Sequence, residues 1–144
     1  MRIVICGSVS FAAAMRDIEA GLKRMGHDVV LPSSIAKFNL GSGADADRLK
    51  KREGYITVIK PEAAKRHFDE IRKSDAILVV NEEKNGISGY IGGATFSEIM
   101  MAFYFGKRIF MLNPIPAHER LAVMRDELES VRPVVLNGDI SRIE

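Results

Sequence analysis

A chain of 144 residues can bury a core without disulfides or metals, and it fits a single domain spanning residues 1–144. Hydrophobic residues make up 47% and charged residues 28%, with a formal net charge of +2. That balance excludes a disordered chain and falls far short of a basic nucleic-acid binder, so no nucleic-acid partner is expected. The single cysteine, Cys6, leaves no internal disulfide framework, so the expected location is a reducing cytoplasm. No leader pattern is evident, and the apolar stretch Ile99 to Leu112 is interrupted by Gly106, Lys107 and Arg108, so no membrane partner is expected either.

The first element is Arg2 to Cys6, a β-branched run ending at Gly7, which reads as a buried strand. Phe11 to Met25 follows as a helix: Met15, Ile18, Leu22 and Met25 recur at helical spacing, charged residues fill the other face, and Gly26 stops it. Asp28 to Leu31 is a second strand closed by Pro32. Beyond it, Gly41 to Gly43 mark a loop and Asp45 to Arg52 suit a short helix. The basic run Arg48 to Arg52 is first a solvated helix face, and second a segment that meets a phosphate. Pro61 opens a helix to Lys73 with Ala64, His67, Phe68 and Ile71 on one face. Ala76 to Val80 is a third strand, with Asp75 as a turn or capping residue at its entrance. A Gly-rich loop, residues 81 to 93, leads into a helix from Ala94 to Phe105 that is apolar nearly all round. Arg108 to Leu112 is a fourth strand. The spacing of Leu121, Met124, Leu128 and Val131 gives a last helix from Ala117, and Pro133 to Leu136 a fifth strand.

Strands alternating with helices predict an α/β fold: one three-layer domain, its five-stranded, mostly parallel sheet covered by helices on both faces in the Rossmann or flavodoxin-like manner. In such sheets ligands bind beyond the carboxyl ends of the strands. Two loops fall there. Gly7, Ser8, Val9 and Ser10 lead into a helix start, where free N–H groups and hydroxyls suit a phosphate or sugar; the plainer alternative is a tight turn with Ser10 as helix N-cap. The second loop ends in Gly92 and Gly93, followed by Thr95 and Glu98. A carboxylate on an apolar helix beside a ligand crevice costs desolvation unless it has a partner or a task. Glu98 is therefore the candidate for chemistry, with a dipole contact or a pairing to Lys107 or Arg108 as the structural alternatives. Asn81 and Tyr90 lie in the same loop, Tyr90 as a stacking candidate. His67 reads first as a core histidine, and Cys6 first as a small core residue. The three histidines share no metal-ligand spacing, and no metal or redox cofactor is implied.

The runs CGSVS, SDAILVV and GYIGGATFSEIMMAFYFGKRIFMLN together resemble the nucleoside 2-deoxyribosyltransferase family, including its deoxynucleoside 5′-monophosphate N-glycosidases. The resemblance covers most of the chain and is weakest over residues 33 to 60. It implies that Glu98 is the nucleophile that attacks the anomeric carbon and releases the base. It further implies that Gly7 and Ser8 line the sugar or its 5′ substituent, and that Thr95 matches a threonine before the nucleophile. His67 stands where the family has an aspartate and is a candidate acid–base group. Gly92 replaces an aspartate of the transferases, and Ser10 or its neighbours replace the phosphate-binding arginine of the hydrolases. A second resemblance, to the cytokinin-releasing phosphoribohydrolases, rests on the glycines before Thr95 and Glu98; Ile91 stands in place of their motif's proline.

The expected activity is cleavage or transfer at the N-glycosidic bond of a nucleoside or nucleoside 5′-monophosphate. Glu98 and His67 would be the catalytic residues; Gly7, Ser8, Ser10, Asn81, Tyr90, Gly92, Gly93 and Thr95 would hold the ligand. The alternatives are a non-catalytic nucleotide-binding or sensor module, and a phosphoribohydrolase. The apolar helix Ile99 to Phe105 leads to the expectation of a homodimer or higher homo-oligomer.

Overall fold

A computed structural model describes residues 1–144. Strand β1 (Arg2–Cys6) is buried from Ile3 onward, as a central parallel strand must be. Its alternation splits the core in two. Ile3 and Ile5 point to one side, with Leu78 and Phe110 of the neighbouring strands. Val4 and Cys6 point to the other, with Ile77, Val79, Ile109 and Met111. Helix α1 (Ala12–Arg24) covers the first side through Ala12, Met15 and Leu22, and β2 (Asp28–Val30) pairs with β1. Two short helices, α2 (Ser33–Lys37) and α3 (Gly43–Lys50), and a π-helical turn at Tyr55–Ile59 lead to α4 (Lys60–Lys73). Strand β3 (Ala76–Val79) follows, then α5 (Gly93–Tyr104), β4 (Arg108–Met111), α6 (Ala122–Ser130) and β5 (Val134–Val135). The chain closes with a 3₁₀ turn at Ile140–Arg142. Helices α4, α5 and α6 cover the second side of the sheet through Ile71, Ile99, Ala102 and Leu128. Each of these side chains, fully buried, stabilises the fold by about 1.5–3 kcal/mol, less for alanine.

All five strands are parallel, in the order β2-β1-β3-β4-β5. The sheet expected to be mostly parallel is wholly so, in the flavodoxin-like order. From β1 the chain goes to β2 on one side; from β3 it goes to β4 on the other. The strand order therefore reverses between β1 and β3, and a crevice opens beyond their carboxyl ends, where Cys6 is level with Val79. No helix is long and apolar enough to cross a membrane.

The departures from expectation have local causes. Ser8, not Ser10, is the capping serine: its Oγ accepts from Ser10 N at 3.3 Å and opens a 3₁₀ turn at Val9–Phe11, after which α1 begins without a side-chain cap. The last strand starts at Val134 because Pro133 has no N–H to give to the ladder. Helix α2 and the π turn were not expected; they are short and lack the apolar periodicity that marks a longer helix. Asp75 sits at the far end of the sheet, as expected, where its carboxylate accepts from Arg2 N at 2.7 Å.

Candidate active site

The crevice is a cleft of about 240 Å³ between the loop after β1, helices α2 to α4 and the start of α5. Its geometry begins at Gly7. The backbone there runs at φ +154°, and a Cβ would lie 2.7 Å from the Val80 carbonyl oxygen, so only glycine lets the two loops approach this closely. Six of the expected ligand-binding residues line the cleft: Gly7, Ser8, Tyr90, Gly92, Gly93 and Thr95. So do Glu98 and His67.

Glu98 and His67 form the floor, against the fully buried Cys6. Glu98 sits in the second turn of α5, and His67 lies on α4, which packs beside it. His67 Nε2 is 3.5 Å from Cys6 Sγ and 3.9 Å from Glu98 Oε2. Glu98 Oε2 and His67 Nδ1 have no hydrogen-bond partner. Burial pushes the Glu98 carboxyl up to about 8, against a smaller opposing influence of the Cys6 thiol. Burial pushes His67 down to about 4, and raises the Cys6 thiol well above its usual value. The short distance between Glu98 and His67 is therefore not an ion pair at neutral pH: the carboxyl is mostly protonated and the imidazole neutral. Lys107 and Arg108 do not pair with Glu98; Arg108 donates instead to the Glu144 carbonyl. His67 is both a buried histidine, as its helix face predicts, and a residue of the cleft.

The other end of the cleft is positive. Lys50 Nζ donates to Ser10 Oγ at 3.3 Å, and Lys84 Nζ donates to Ser8 Oγ at 3.2 Å. Lys84 also lies 5.0 Å from the centroid of the Tyr90 ring. Its pKa is lowered by burial first and by the positive charge of Lys50 second. Lys60 lines the same cleft, and no carboxylate stands within ion-pair distance of Lys50, Lys60 or Lys84. Two ammonium groups side by side repel each other, and the charge of Asp47 offsets this only in part, so an anion between them would relieve it.

Two expected ligand-binding residues stand apart from the cleft walls. Ser10 lies just outside, held by Lys50. Asn81 has its side chain buried and hydrogen-bonded to the loop after β4. Asn81 Nδ2 donates to the carbonyls of Asn113 and Pro114, and Asn113 N donates to Asn81 Oδ1. Asn113 Nδ2 donates back to the Asn81 carbonyl. The pair ties the loop after β3 to the loop after β4 and uses both Nδ2 hydrogens of Asn81. Sequence reasoning passed over Lys84 and Tyr55, and it ranked Cys6 as core ahead of a reactive thiol. The basic run did carry a signal: its Lys50 turns into the cleft, while Arg48 pairs with Asp45 and Arg52 lies over Phe38.

No family model and no curated protein matches the chain. Among solved structures it is similar to a 2-deoxyribosyltransferase from the psychrotolerant bacterium Bacillus psychrosaccharolyticus. The two share 14% sequence identity with a TM-score of 0.55, over 94% of this chain and 98% of that one. The likeness is one of architecture: the chain has the three-layer α/β fold seen in that 2-deoxyribosyltransferase.

Proposed function

We propose that the protein cleaves or transfers at the N-glycosidic bond of a nucleoside 5′-monophosphate, with Glu98 as nucleophile. One observation carries this reading: a buried carboxyl, its Oε2 without a hydrogen-bond partner, lines the same cleft as Lys50 and Lys60, with Lys84 beside it on Ser8. The phosphate would sit at the rim between Lys50 and Lys84, on the hydroxyls of Ser8 and Ser10. Charge-assisted contacts of this kind contribute about 1.5–3 kcal/mol each. The sugar would then reach toward α5. Tyr90, held under Lys84, offers a ring face to the substrate.

The step is a displacement. A Glu98 carboxylate oxygen bonds to the anomeric carbon as the C–N bond breaks, and the base leaves with that electron pair and takes a proton from water. The glycosyl ester is resolved by water, giving hydrolysis, or by a second base, giving transfer. His67 would act beside Glu98, its Nε2 turned to the ionising carboxylate. A non-catalytic nucleotide-binding module is the second reading, and the protonation of Glu98 at neutral pH favours it. Assembly as a homodimer is part of the first: Phe103 and Tyr104 on α5 and Val123 on α6 expose 54%, 81% and 85% of their surface on one side of the sheet.

The test is a panel of deoxynucleosides, ribonucleosides and their 5′-monophosphates, with and without an acceptor base, followed by chromatography. Free or exchanged base from the monophosphates, abolished in Glu98→Gln, supports the glycosidase. Thermal stabilisation by a monophosphate with no base release supports the binding module instead.

A further inference from the structure

Cys6, His67 and Glu98 come from three rigid elements, the end of β1, α4 and α5. One ligand atom of each lies within 4.8 Å of the other two. We propose that these three side chains form a binding site for a thiophilic divalent cation of the zinc type, with a fourth ligand position open to the cleft.

The geometry fits such an ion. Zinc bonds of about 2.3 Å to sulfur and about 2.0–2.2 Å to nitrogen and oxygen put tetrahedral ligand atoms about 3.3–3.7 Å apart. The Cys6 Sγ to His67 Nε2 separation is 3.5 Å, already one edge of that tetrahedron. The 3.9 Å between His67 Nε2 and Glu98 Oε2 closes with a small rotation of the glutamate side chain. Glu98 Oε2, the oxygen on this edge, has no other partner. The donor set of one thiolate, one imidazole and one carboxylate selects zinc-like ions over magnesium and calcium, which take oxygen ligands. Charge also balances: a divalent cation with one thiolate and one carboxylate is neutral, the form a desolvated pocket tolerates best. Binding releases two protons, one from the Cys6 thiol and one from the Glu98 carboxyl. The fourth position, on the cleft side, takes water or an anionic group of a ligand. The metal would hold the carboxylate that the proposed chemistry needs, so the loaded protein would be inactive as a glycosidase. The binding inference itself does not depend on that chemistry.

The probe is cobalt(II), titrated into the full-length, chelator-treated protein. The expected result is one cobalt per chain with the intense visible bands of tetrahedral cobalt and a thiolate-to-cobalt band in the near ultraviolet. Zinc should displace the cobalt and magnesium should not. Cys6→Ser, its fold checked by circular dichroism, should lose the ultraviolet band and bind at least about tenfold more weakly. Glu98→Gln, as a second variant, should weaken binding with the ultraviolet band retained. A weak octahedral spectrum, or a spectrum unchanged by both variants, overturns the proposal. So does one abolished by His27→Ala, since the Met1 amino group lies 3.2 Å from His27 Nδ1 and offers a competing site. Base release is assayed separately in chelator. Turnover without cobalt bands refutes the metal site alone, and cobalt bands without turnover refute the glycosidase alone.

Discussion

Glu98 makes a prediction about stability that needs no substrate. Its folded pKa is raised from 4.5 to about 8. A carboxyl with a raised folded pKa contributes stability that is complete below its unfolded value and is lost as pH climbs through the folded value. His67 runs the other way: its folded pKa falls from 6.5 to about 4, so its contribution is complete above pH 6.5 and is lost as pH falls toward 4. Between pH 4.5 and 6.5 the two trends oppose each other. Between pH 6.5 and 8 only Glu98 acts, and a window of 1.5 units at about 1.36 kcal/mol per unit gives about 2 kcal/mol. For a chain of this length that is a fall in Tm of about 4–8 °C across the window. Glu98→Gln carries no titrating group there and should show a nearly flat curve. Tm is measured by calorimetry or fluorescence at half-unit intervals from pH 5.5 to 8.5. The difference between the two proteins is the readout, because they differ only at residue 98. Parallel curves from pH 6.5 to 8 would refute the account of Glu98 as a buried, partnerless carboxyl.

Other expectations follow from the same geometry. Lys50→Ala and Lys84→Ala should each weaken binding of a nucleoside 5′-monophosphate by about tenfold or more, with little change for the nucleoside, as read by calorimetric titration; equal losses for both ligands would place the phosphate elsewhere. Asn81→Ala removes the side-chain bonds to Asn113 and Pro114 and should cost about 2–4 kcal/mol in denaturant unfolding, with ligand binding by the folded fraction retained. A Glu98 nucleophile requires kcat/KM to rise with pH toward about 8 and level off; a falling limb over that range would make Glu98 a proton donor instead. Tyr104→Glu should convert a homodimer to monomer in sedimentation experiments, and a wild-type monomer refutes the assembly.

The sheet was legible because its strands announce themselves. RIVIC, AILVV and RIFML are short, apolar and bounded by turns, and central parallel strands must read that way. Alternation with helices then leaves few topologies, and the switch point follows from them. Glu98 stood out as a carboxylate on an otherwise apolar helix, whereas His67 read first as a core histidine and became a candidate only through the family resemblance. The rim was legible only in part. The basic run that holds Lys50 offered a segment that meets a phosphate as its second reading, while Lys84, 34 residues on, looks like an ordinary surface charge until the fold places both lysines on serines of one loop. Asn81, a polar residue in a Gly-rich loop, looks free in the sequence, while the bonds its side chain makes come from a loop 32 residues away. Cys6, His67 and Glu98 meet only through tertiary structure, so no spacing along the chain signals their cluster.

The charge distribution of the cleft also constrains how the proposed chemistry proceeds. An anion at the lysine rim raises the cost of a second negative charge on the floor, so phosphate binding does not by itself ionise Glu98. The carboxylate becomes favourable only when positive charge develops next to it. Nucleoside cleavage supplies that charge: as the C–N bond lengthens, the anomeric carbon and ring oxygen become oxocarbenium-like. In a site from which water is excluded, the attraction between that charge and Glu98 is strong in the transition state and nearly absent in the ground state. Differential binding of this kind accelerates a reaction. The burial that makes Glu98 a weak acid is, on this reading, what makes it effective at the moment of bond breaking.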